Sequence, residues 1–319
     1  MNFLTLAWFG QNSVAKFLKT LLFTLLYNIP GVIPLAVYSI VKDMETISFQ
    51  TIVTGNSAGF IFVLVGLSFA TGLFGLFRQV IVQYDRDWIT LITPKKEIDW
   101  RKFLIGAGVW GGIVVISIIL DIVRSPQDYI FSFQPIPFFS LLIGVLIIIP
   151  IQASSEEILF RGFIMQQIAL VGKYVWIPLT LNSVLFALAH SSNPEVDAYG
   201  FSLAMSHYTI VALIWGIAAM MDDGLELAMG AHTGNNIIAF LLTTDKNAVI
   251  QTPALFTNIN PTESWQGVVE LVLAGIIFLF ILSRIYKWGS WSILWSRIIP
   301  PAMPDAEPPS QSDILLEQA

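Results

Sequence analysis

The chain has 319 residues, of which 55% are hydrophobic and 12% are charged, and its formal net charge is −6. Soluble globular domains carry about 25% charged residues, so this composition argues against a soluble protein and favours one embedded in a bilayer. The acidic balance speaks against nucleic acid as a partner. The sequence contains no cysteine, which excludes disulfides, thiol catalysis and cysteine-ligated zinc.

Eight apolar runs are long enough to predict membrane-crossing helices, because a helix needs ~20 apolar residues to span the hydrocarbon core. In chain order they cover about 17–41, 57–78, 103–123, 138–170, 177–192, 201–221, 225–243 and 266–286. The fourth run is too long for one straight crossing, and Pro150 within it offers a place for a break or a kink. We therefore predict an all-α, polytopic membrane protein with about eight transmembrane helices in one bundle.

Lysine and arginine predict the orientation, since cytoplasmic loops carry the excess of positive charge. Six of these residues lie between the second and third runs, from Arg78 to Lys102. With that segment in the cytoplasm, only Lys42, Arg124 and Lys246 fall outside, against twelve basic residues inside. We expect both termini to be cytoplasmic. The lack of cysteine and the compact chain suit a bacterial plasma membrane.

The domain organisation is predicted from the change in composition near the end of the chain. A transmembrane domain is expected over residues 1–299. Residues 300–319 are rich in proline and polar side chains, a composition typical of disordered segments. We predict that they form a disordered cytoplasmic tail.

Three charges stand together in the fourth run, in the stretch SSEEILFRGF at 154–163. A charge at a helix centre costs roughly 2.5–3.5 kcal/mol, so Glu156, Glu157 and Arg161 should face protein or water rather than lipid. Glu157 and Arg161 are four residues apart in acid-before-base order, which favours an ion pair. Glu156 points about 100° away around the helix and has no local partner. A solvated, structural position near the inner membrane surface remains the alternative for all three charges.

All three histidines lie in apolar runs. His190 follows Phe186 by four residues and His232 precedes Asn236 by four, so each pair shares one helical face. The helical rise places His190 at ~18 Å and His232 at ~10 Å from the inner side. A carboxylate, two imidazoles and an amide are therefore expected in the middle or inner layer of one bundle. His207 has only apolar neighbours at helical spacing, and we interpret it as structural.

These side chains are suited to amide hydrolysis by either of two routes. A carboxylate in a water-accessible cavity can take a proton from water and make a nucleophile. An imidazole and an amide on a facing helix can donate hydrogen bonds to the oxyanion that forms. A glutamate and two histidines could instead hold Zn²⁺ with a water molecule in the open position. The spacing is not HExxH, so the sequence does not establish a metal site.

Three short motifs occur in order on separate predicted helices: EExxxR (Glu156, Glu157, Arg161), FxxxH (Phe186, His190) and HxxxN (His232, Asn236). This ordered trio resembles the pattern of the CPBP family, the CAAX proteases and bacteriocin-processing enzymes. The family is also called Abi and includes the type II CAAX prenyl endopeptidases. The resemblance covers a core of roughly residues 138–243, and the first three predicted spans carry no diagnostic motif.

The resemblance implies an intramembrane endopeptidase with an eight-helix core. It implies that Glu156 activates water with assistance from His190, while His232 and Asn236 stabilise the oxyanion. Family members have been described both as metalloproteases and as glutamate-dependent enzymes. We favour the second mechanism, which requires no cofactor, because Asn236 suits an oxyanion donor better than a zinc ligand. Zinc held by Glu156, His190 and His232 is the alternative.

The resemblance also implies which residues support the site and which partners it serves. Arg161 would hold Glu157 and the helix geometry, with Phe186 as further structural support. The expected partners are membrane lipids and a peptide or membrane-protein substrate, which could be lipidated. No part of the sequence identifies a prenyl pocket.

Two other classes of protein fit part of the sequence. An ion-coupled transporter would also contain buried ionisable residues and proline-interrupted spans. Such a protein should have paired broken helices in two related halves, whereas the polar residues here cluster in the C-terminal part, which favours the enzyme. A catalytically idle immunity or scaffold protein on the same fold is the remaining alternative.

Overall fold

Helices make up most of the computed structural model, which describes residues 3–41 and 55–301. In chain order they are α1 (Val14–Val41), α2 (Ala58–Tyr84), α3 (Trp100–Arg124), α4 (Pro135–Glu157), α5 (Met165–Ala169), α6 (Trp176–Ala189), α7 (Pro194–Tyr199), α8 (Phe201–Asp222), α9 (Glu226–Leu242) and α10 (Trp265–Tyr286). The predicted disordered tail lies outside the described residues from position 302 onward.

Six helical stretches in the described part of the chain are long and apolar enough to cross a membrane. They are α1, α2, α3, the continuous stretch Pro135–Ala169, α8 and α10. The predicted all-α membrane bundle is confirmed, and each of the eight predicted runs coincides with a helix. The remaining two, α6 with 14 residues and α9 with 17, are too short to span a ~30 Å hydrocarbon core.

The fourth predicted run departs from regular α-helix at a different place from the one expected. Pro150 lies inside α4, which continues to Glu157. The change comes directly afterwards, where Ile158–Ile164 forms a π-helix that leads into α5. A π-helical turn accommodates an extra residue in a helix and is frequent at functional sites. The charged stretch 154–163 therefore straddles this change of helical geometry.

Packing around α4 and α8 defines the interior of the bundle. α4 packs against α2 and α9, and α8 packs against α6, α9 and α10. Three short strands close one end: β1 (Tyr129–Phe131), β2 (Thr243–Thr244) and β3 (Phe256–Asn258). β3 lies between the other two, antiparallel to β1 and parallel to β2. This small sheet joins the segment before α4 to the segments that follow α9.

Glycines allow α3 and α9 to approach closely. A Cβ atom on Gly230 would lie 1.9 Å from the carbonyl oxygen of Phe103, and one on Gly234 would lie 2.4 Å from that of Ala107. On the facing helix, a Cβ on Gly106 would lie 2.3 Å from the carbonyl oxygen of Leu227. These contacts are with backbone atoms, which cannot move aside as a flexible side chain can. Only glycine fits at these positions.

This contact predicts opposite outcomes for two glycine-to-alanine substitutions. Gly230→Ala should destabilise the protein by about 1–3 kcal/mol or more, because the added methyl group overpacks the α3–α9 contact. Gly108→Ala, in α3, should be neutral or slightly stabilising, because a Cβ there meets no atom within 4 Å and alanine favours helix. Thermal unfolding of both variants in detergent measures the difference, and equal melting temperatures would contradict the packing argument.

Candidate active site

A fully buried ion pair forms the base of the candidate site. The Nη1 atom of Arg161 donates to Oε1 of Glu157 at 2.9 Å, and both side chains have 0% exposure. The Nη2 atom of Arg161 donates to the carbonyl oxygen of Ala212 in α8 at 3.2 Å. The guanidinium carbon lies 4.6 Å from the ring centroid of Phe186 in α6. The ion pair expected from the sequence is present, and it joins α4, α6 and α8.

Glu157 also binds His232, a contact that the sequence analysis missed. The same Oε1 atom lies 2.9 Å from Nδ1 of His232 in α9. Because Arg161 holds Glu157 as a carboxylate, which can only accept, we assign the Nδ1 atom of His232 as the donor. The imidazole stacks on Trp215, with ring centroids 4.5 Å apart. The contacts with Glu157 and Trp215 therefore fix the tautomer and the orientation of His232.

Glu156 lies on the other side of the same imidazole. Its Oε2 atom is 3.6 Å from Nε2 of His232, and its side chain is 16% exposed. The expectation that Glu156 has no local partner is wrong. Gln152, one helical turn earlier in α4, donates from Nε2 to Oε1 of Glu156 at 2.6 Å. The spacing of four residues was the sequence signal for this pair.

Asn236 joins this network through the same glutamine. Its Nδ2 atom donates to Oε1 of Gln152 at 2.9 Å, and its Oδ1 atom accepts from Nδ2 of Asn235 at 3.0 Å. The predicted residues Glu156, His232 and Asn236 are therefore connected through short contacts in the structure. Gln152, which the sequence analysis did not select, links two of them.

His190 lies at the end of α6 and is held by other groups. Its Nδ1 atom is 2.7 Å from the carbonyl oxygen of Phe186. Its ring packs on Phe186 at 4.5 Å and stacks on Tyr208 of α8 at 4.7 Å between centroids. Phe186 in turn lies 6.2 Å from the ring of His232. No direct polar contact joins His190 to Glu156 or His232 among the described residues. His190 therefore lies at the edge of the site, with Phe186 between its ring and that of His232.

The zinc alternative requires Glu156, His190 and His232 to bind one ion together. Within 3–41 and 55–301, no three histidine or acidic side chains come together to hold a metal ion. The Nδ1 atoms of His232 and His190 bond to Glu157 and to a backbone carbonyl, which leaves Nε2 of each ring as its open nitrogen. A catalytic zinc needs three protein ligands with one open position. Among the described residues, Glu156 and Nε2 of His232 face each other, and no direct polar contact joins His190 to either of them.

Comparison with known proteins gives two matches. The family model for type II CAAX prenyl endopeptidase Rce1-like matches residues 135–238, from the start of α4 to within α9. The uncharacterized protein YyaK of Bacillus subtilis (strain 168) is 32% identical over 211 residues, which cover 63% of this chain and 69% of YyaK. The chain belongs to the Rce1-like family. No solved structure matches it.

Membership of the Rce1-like family gives the geometry a functional setting. The family comprises CAAX-type intramembrane proteases, which act on peptide substrates in membranes. The described residues include six apolar helices long enough to cross a membrane, so this member is an integral membrane protein. All seven residues of the three sequence motifs lie within the matched region. Family membership thus favours a protease over the transporter alternative.

A small cavity adjoins Glu156 in this Rce1-like protein. It has a volume of about 110 Å³ and lies between α1, α2 and α4. Its polar lining comes from Thr24, Asn28, Ser155 and Glu156, and leucine and phenylalanine side chains form the rest. The Oγ1 atom of Thr24 is buried and has no hydrogen-bond partner among the described residues. A cavity of this size has room for roughly three water molecules, and its few polar side chains lie beside a mostly apolar lining.

The different surroundings of the two adjacent glutamates predict different effects on stability. Glu157→Gln should destabilise the protein by about 3–5 kcal/mol, because it leaves the buried Arg161 without its counter-charge and weakens the bond to His232. Glu156→Gln should stay within about 1 kcal/mol of wild type, because its side chain is partly exposed and an amide can keep Gln152 as a partner. Thermal unfolding in detergent compares the two variants. Equal losses would contradict the assignment of Glu157 as the structural member.

Proposed function

We propose that this protein is an endopeptidase in which Glu156 activates water for attack on a substrate peptide bond. The observation that carries the proposal is the position of Glu156, whose Oε2 atom faces Nε2 of His232 at 3.6 Å. That separation is too long for a direct hydrogen bond, so both atoms can turn toward a water molecule and a substrate carbonyl. The polar cavity beside Glu156 supports a supply of water from the α1 side.

The charge of the cluster supports this division of labour. Glu156 and Glu157 bring two carboxylates, and Arg161 brings one fixed positive charge. A cluster removed from bulk water is favoured when it is neutral, which requires one further proton on Glu156 or His232. Because Nδ1 of His232 is committed to Glu157, this proton lies on the side where Glu156 and Nε2 face each other. The site is thereby equipped with one proton that can move.

The proposed reaction begins with Glu156 as a carboxylate and His232 as an imidazolium. Glu156 takes a proton from water as the water oxygen bonds to the carbonyl carbon. The carbonyl oxygen gains negative charge and accepts from Nε2–H of His232. The carbon–nitrogen bond then breaks, and the proton held by Glu156 passes to the leaving amine. Atoms and charges balance, and the proton distribution of the cluster returns to its starting state.

Asn236 and His190 complete the proposed machinery. One N–H of the Asn236 amide is used by Gln152, and the second is available to the developing oxyanion. In His190, an Nδ1–H bonded to the Phe186 carbonyl leaves Nε2 as an acceptor, suited to orient a water molecule. His190 would then assist Glu156 through that water rather than by direct contact.

The proposed substrate is a peptide or membrane protein, with or without an attached lipid, that is cut near the cytoplasmic side of a bacterial plasma membrane. The distribution of lysine and arginine supports this orientation, with both termini in the cytoplasm. His232 lies six residues after the first residue of α9. α9 follows Asp222, which pairs with Lys102 in the segment that this orientation places in the cytoplasm, so α9 begins on the cytoplasmic side. The scissile bond would thus lie ~9 Å along the helix from that end.

The proposal predicts that peptide cleavage depends on Glu156 and His232. Purified protein is incubated with a peptide library, and the products are identified by mass spectrometry. Glu156→Gln should lower the rate by about 10²–10⁴-fold through loss of the base, and His232→Ala by about 10²–10³-fold through loss of the oxyanion donor. Cleavage at the wild-type rate in both variants would remove the catalytic assignment.

Matched controls separate these losses from general damage. Glu270→Gln alters a glutamate in an exposed pair with Arg124, and His207→Gln alters a histidine outside the site. Both should retain wild-type activity. A chelator arm tests the mechanism, and activity is expected to survive complete removal of metal. Loss of activity on chelation with recovery on adding Zn²⁺ would argue for the metal route instead.

The polar cavity predicts a role for Thr24 in supplying water. Thr24→Val keeps the volume of the side chain but removes the hydroxyl, and kcat should fall roughly 5-fold, the equivalent of one hydrogen bond. Thr20→Val is the matched control, because Thr20 lies one turn earlier in α1, is also buried, and binds Gln83 rather than lining the cavity. Equal kcat values for the two variants would contradict water supply through this cavity.

A further inference from the structure

Four hydrogen bonds in sequence connect the middle of α3 to Glu156. The Nε1 atom of Trp110 donates to Oδ1 of Asn235 at 3.0 Å, and Nδ2 of Asn235 donates to Oδ1 of Asn236 at 3.0 Å. The Nδ2 atom of Asn236 donates to Oε1 of Gln152 at 2.9 Å, and Nε2 of Gln152 donates to Oε1 of Glu156 at 2.6 Å. We call this series the amide relay.

We infer that Trp110, Asn235 and Gln152 are positioning residues that keep Glu156 a hydrogen-bond acceptor and so hold it ready to act as a base. This inference rests on the proposed function of Glu156. It assigns a role to α3, a helix that lies outside both the sequence motifs and the matched family region.

The direction of the relay is set at its far end. The indole N–H of Trp110 can only donate, so the atom of Asn235 that faces it must be the oxygen. The Asn235 amide nitrogen then faces the oxygen of Asn236, whose own nitrogen faces the oxygen of Gln152. The orientation of each amide thus fixes the orientation of the next one. Without the indole donor, all three amides could turn over together and present the oxygen of Gln152 to Glu156.

This direction decides which form of Glu156 is favoured. A glutamate that receives an N–H bond on Oε1 is stabilised as a carboxylate, whereas a glutamate facing an amide oxygen is stabilised as the protonated acid. The relay also pins Oε1, which leaves Oε2 toward His232. Both effects suit a residue that must take a proton from water.

The packing around Trp110 keeps the donor in place. Trp110 is 2% exposed and packs edge-on against Trp215 and Phe278, at 5.9 and 5.1 Å between centroids. The glycine contacts between α3 and α9 bring its helix against the backbone that carries Asn235. A rigid apolar setting therefore holds a single polar atom that directs the relay.

Other groups around Glu156 also affect its protonation. His232 faces it from α9, and Tyr208 interacts with it electrostatically from α8. Arg161 and Glu157 act from its own helical stretch. On the α1 side the cavity has only uncharged polar residues in its lining. Trp110 packs on Trp215, which stacks on His232, so a Trp110 variant is compared with variants of Asn235 and Gln152, which interrupt the relay without removing this ring contact.

The first test is the pH dependence of cleavage by Trp110→Phe, which removes the indole N–H and keeps an aromatic ring. The acid limb of kcat/KM should move to higher pH by roughly half to one unit, about the strength of one hydrogen bond. KM should stay within about twofold, because Trp110 itself is buried in the bundle and lies outside the proposed substrate contacts. Trp288→Phe is the matched control, since it removes an indole donor to Asp222 outside the site and should keep the wild-type profile. A wild-type profile for folded Trp110→Phe would overturn the inference.

Two further variants cover the possibility that Trp110→Phe does not fold. Asn235→Leu interrupts the relay in the middle, and Gln152→Met removes the last donor with little change in volume. Both should shift the acid limb in the same direction as Trp110→Phe. If neither variant shifts it, the relay has no influence on Glu156 and the inference fails.

An infrared measurement tests the relay without relying on cleavage. The carboxylic-acid band of Glu156 is isolated as the difference between wild type and Glu156→Gln and followed against pH. In the relay variants this band should persist to higher pH by the same half to one unit. If wild type cleaves no peptide but the band shifts, the proposed function fails and the relay stands. If peptides are cleaved but the band and the profile do not move, the relay fails alone.

Discussion

The site depends on one carboxylate oxygen that binds two partners. Oε1 of Glu157 accepts from Arg161 and from His232, both at 2.9 Å, and the pair with Arg161 is fully buried. A buried carboxylate with no partner would be strongly unfavourable. The hydrogen bond from His232 to Glu157 therefore favours the packing of α9 against α4. The same contact turns Nε2 of His232 toward Glu156. The same atom, Oε1 of Glu157, therefore contributes to the stability of the bundle and to the orientation of the His232 imidazole.

The fold supplies this geometry through helix contacts rather than loops. α4 presents the two glutamates, the π-helical turn after Glu157 carries Arg161, and α9 presents His232 and the two asparagines. Glycines let α3 approach α9 closely enough for Trp110 to reach Asn235. Two groups of side chains thus meet at Glu156. One is the charged group around Glu157, which we call the charged layer, and the other is the series of amides in the relay, which we call the amide layer. The charged layer fixes positions, and the amide layer sets the direction of hydrogen bonding.

Periodicity along the chain predicted those features that depend on neighbouring residues. The apolar runs predicted the helices, and the spacing of four residues predicted the pair between Glu157 and Arg161. The same spacing connects Gln152 to Glu156, but glutamine carries no charge, so this hydrogen bond was not predicted. The bond between Glu157 and His232 joins residues 75 positions apart, and that from Trp110 to Asn235 spans 125. Such pairs follow from helix packing, which no local pattern encodes.

The charge balance of the cluster bears on the choice between a protease and an ion-coupled transporter. A transporter carboxylate must release its proton to one side of the membrane and regain it from the other. Here Arg161 offsets one carboxylate, and in the proposed mechanism a single proton on Glu156 or His232 offsets the other. Removing that proton to solvent would leave a net negative charge in a site largely removed from water, which is unfavourable. In the proposed hydrolysis, Glu156 takes a proton from water and later gives it to the leaving amine, and the oxyanion balances that proton in between, so the site and its substrate together stay neutral. The site is therefore suited to exchanging a proton with a bound substrate, and not to carrying a proton across the membrane.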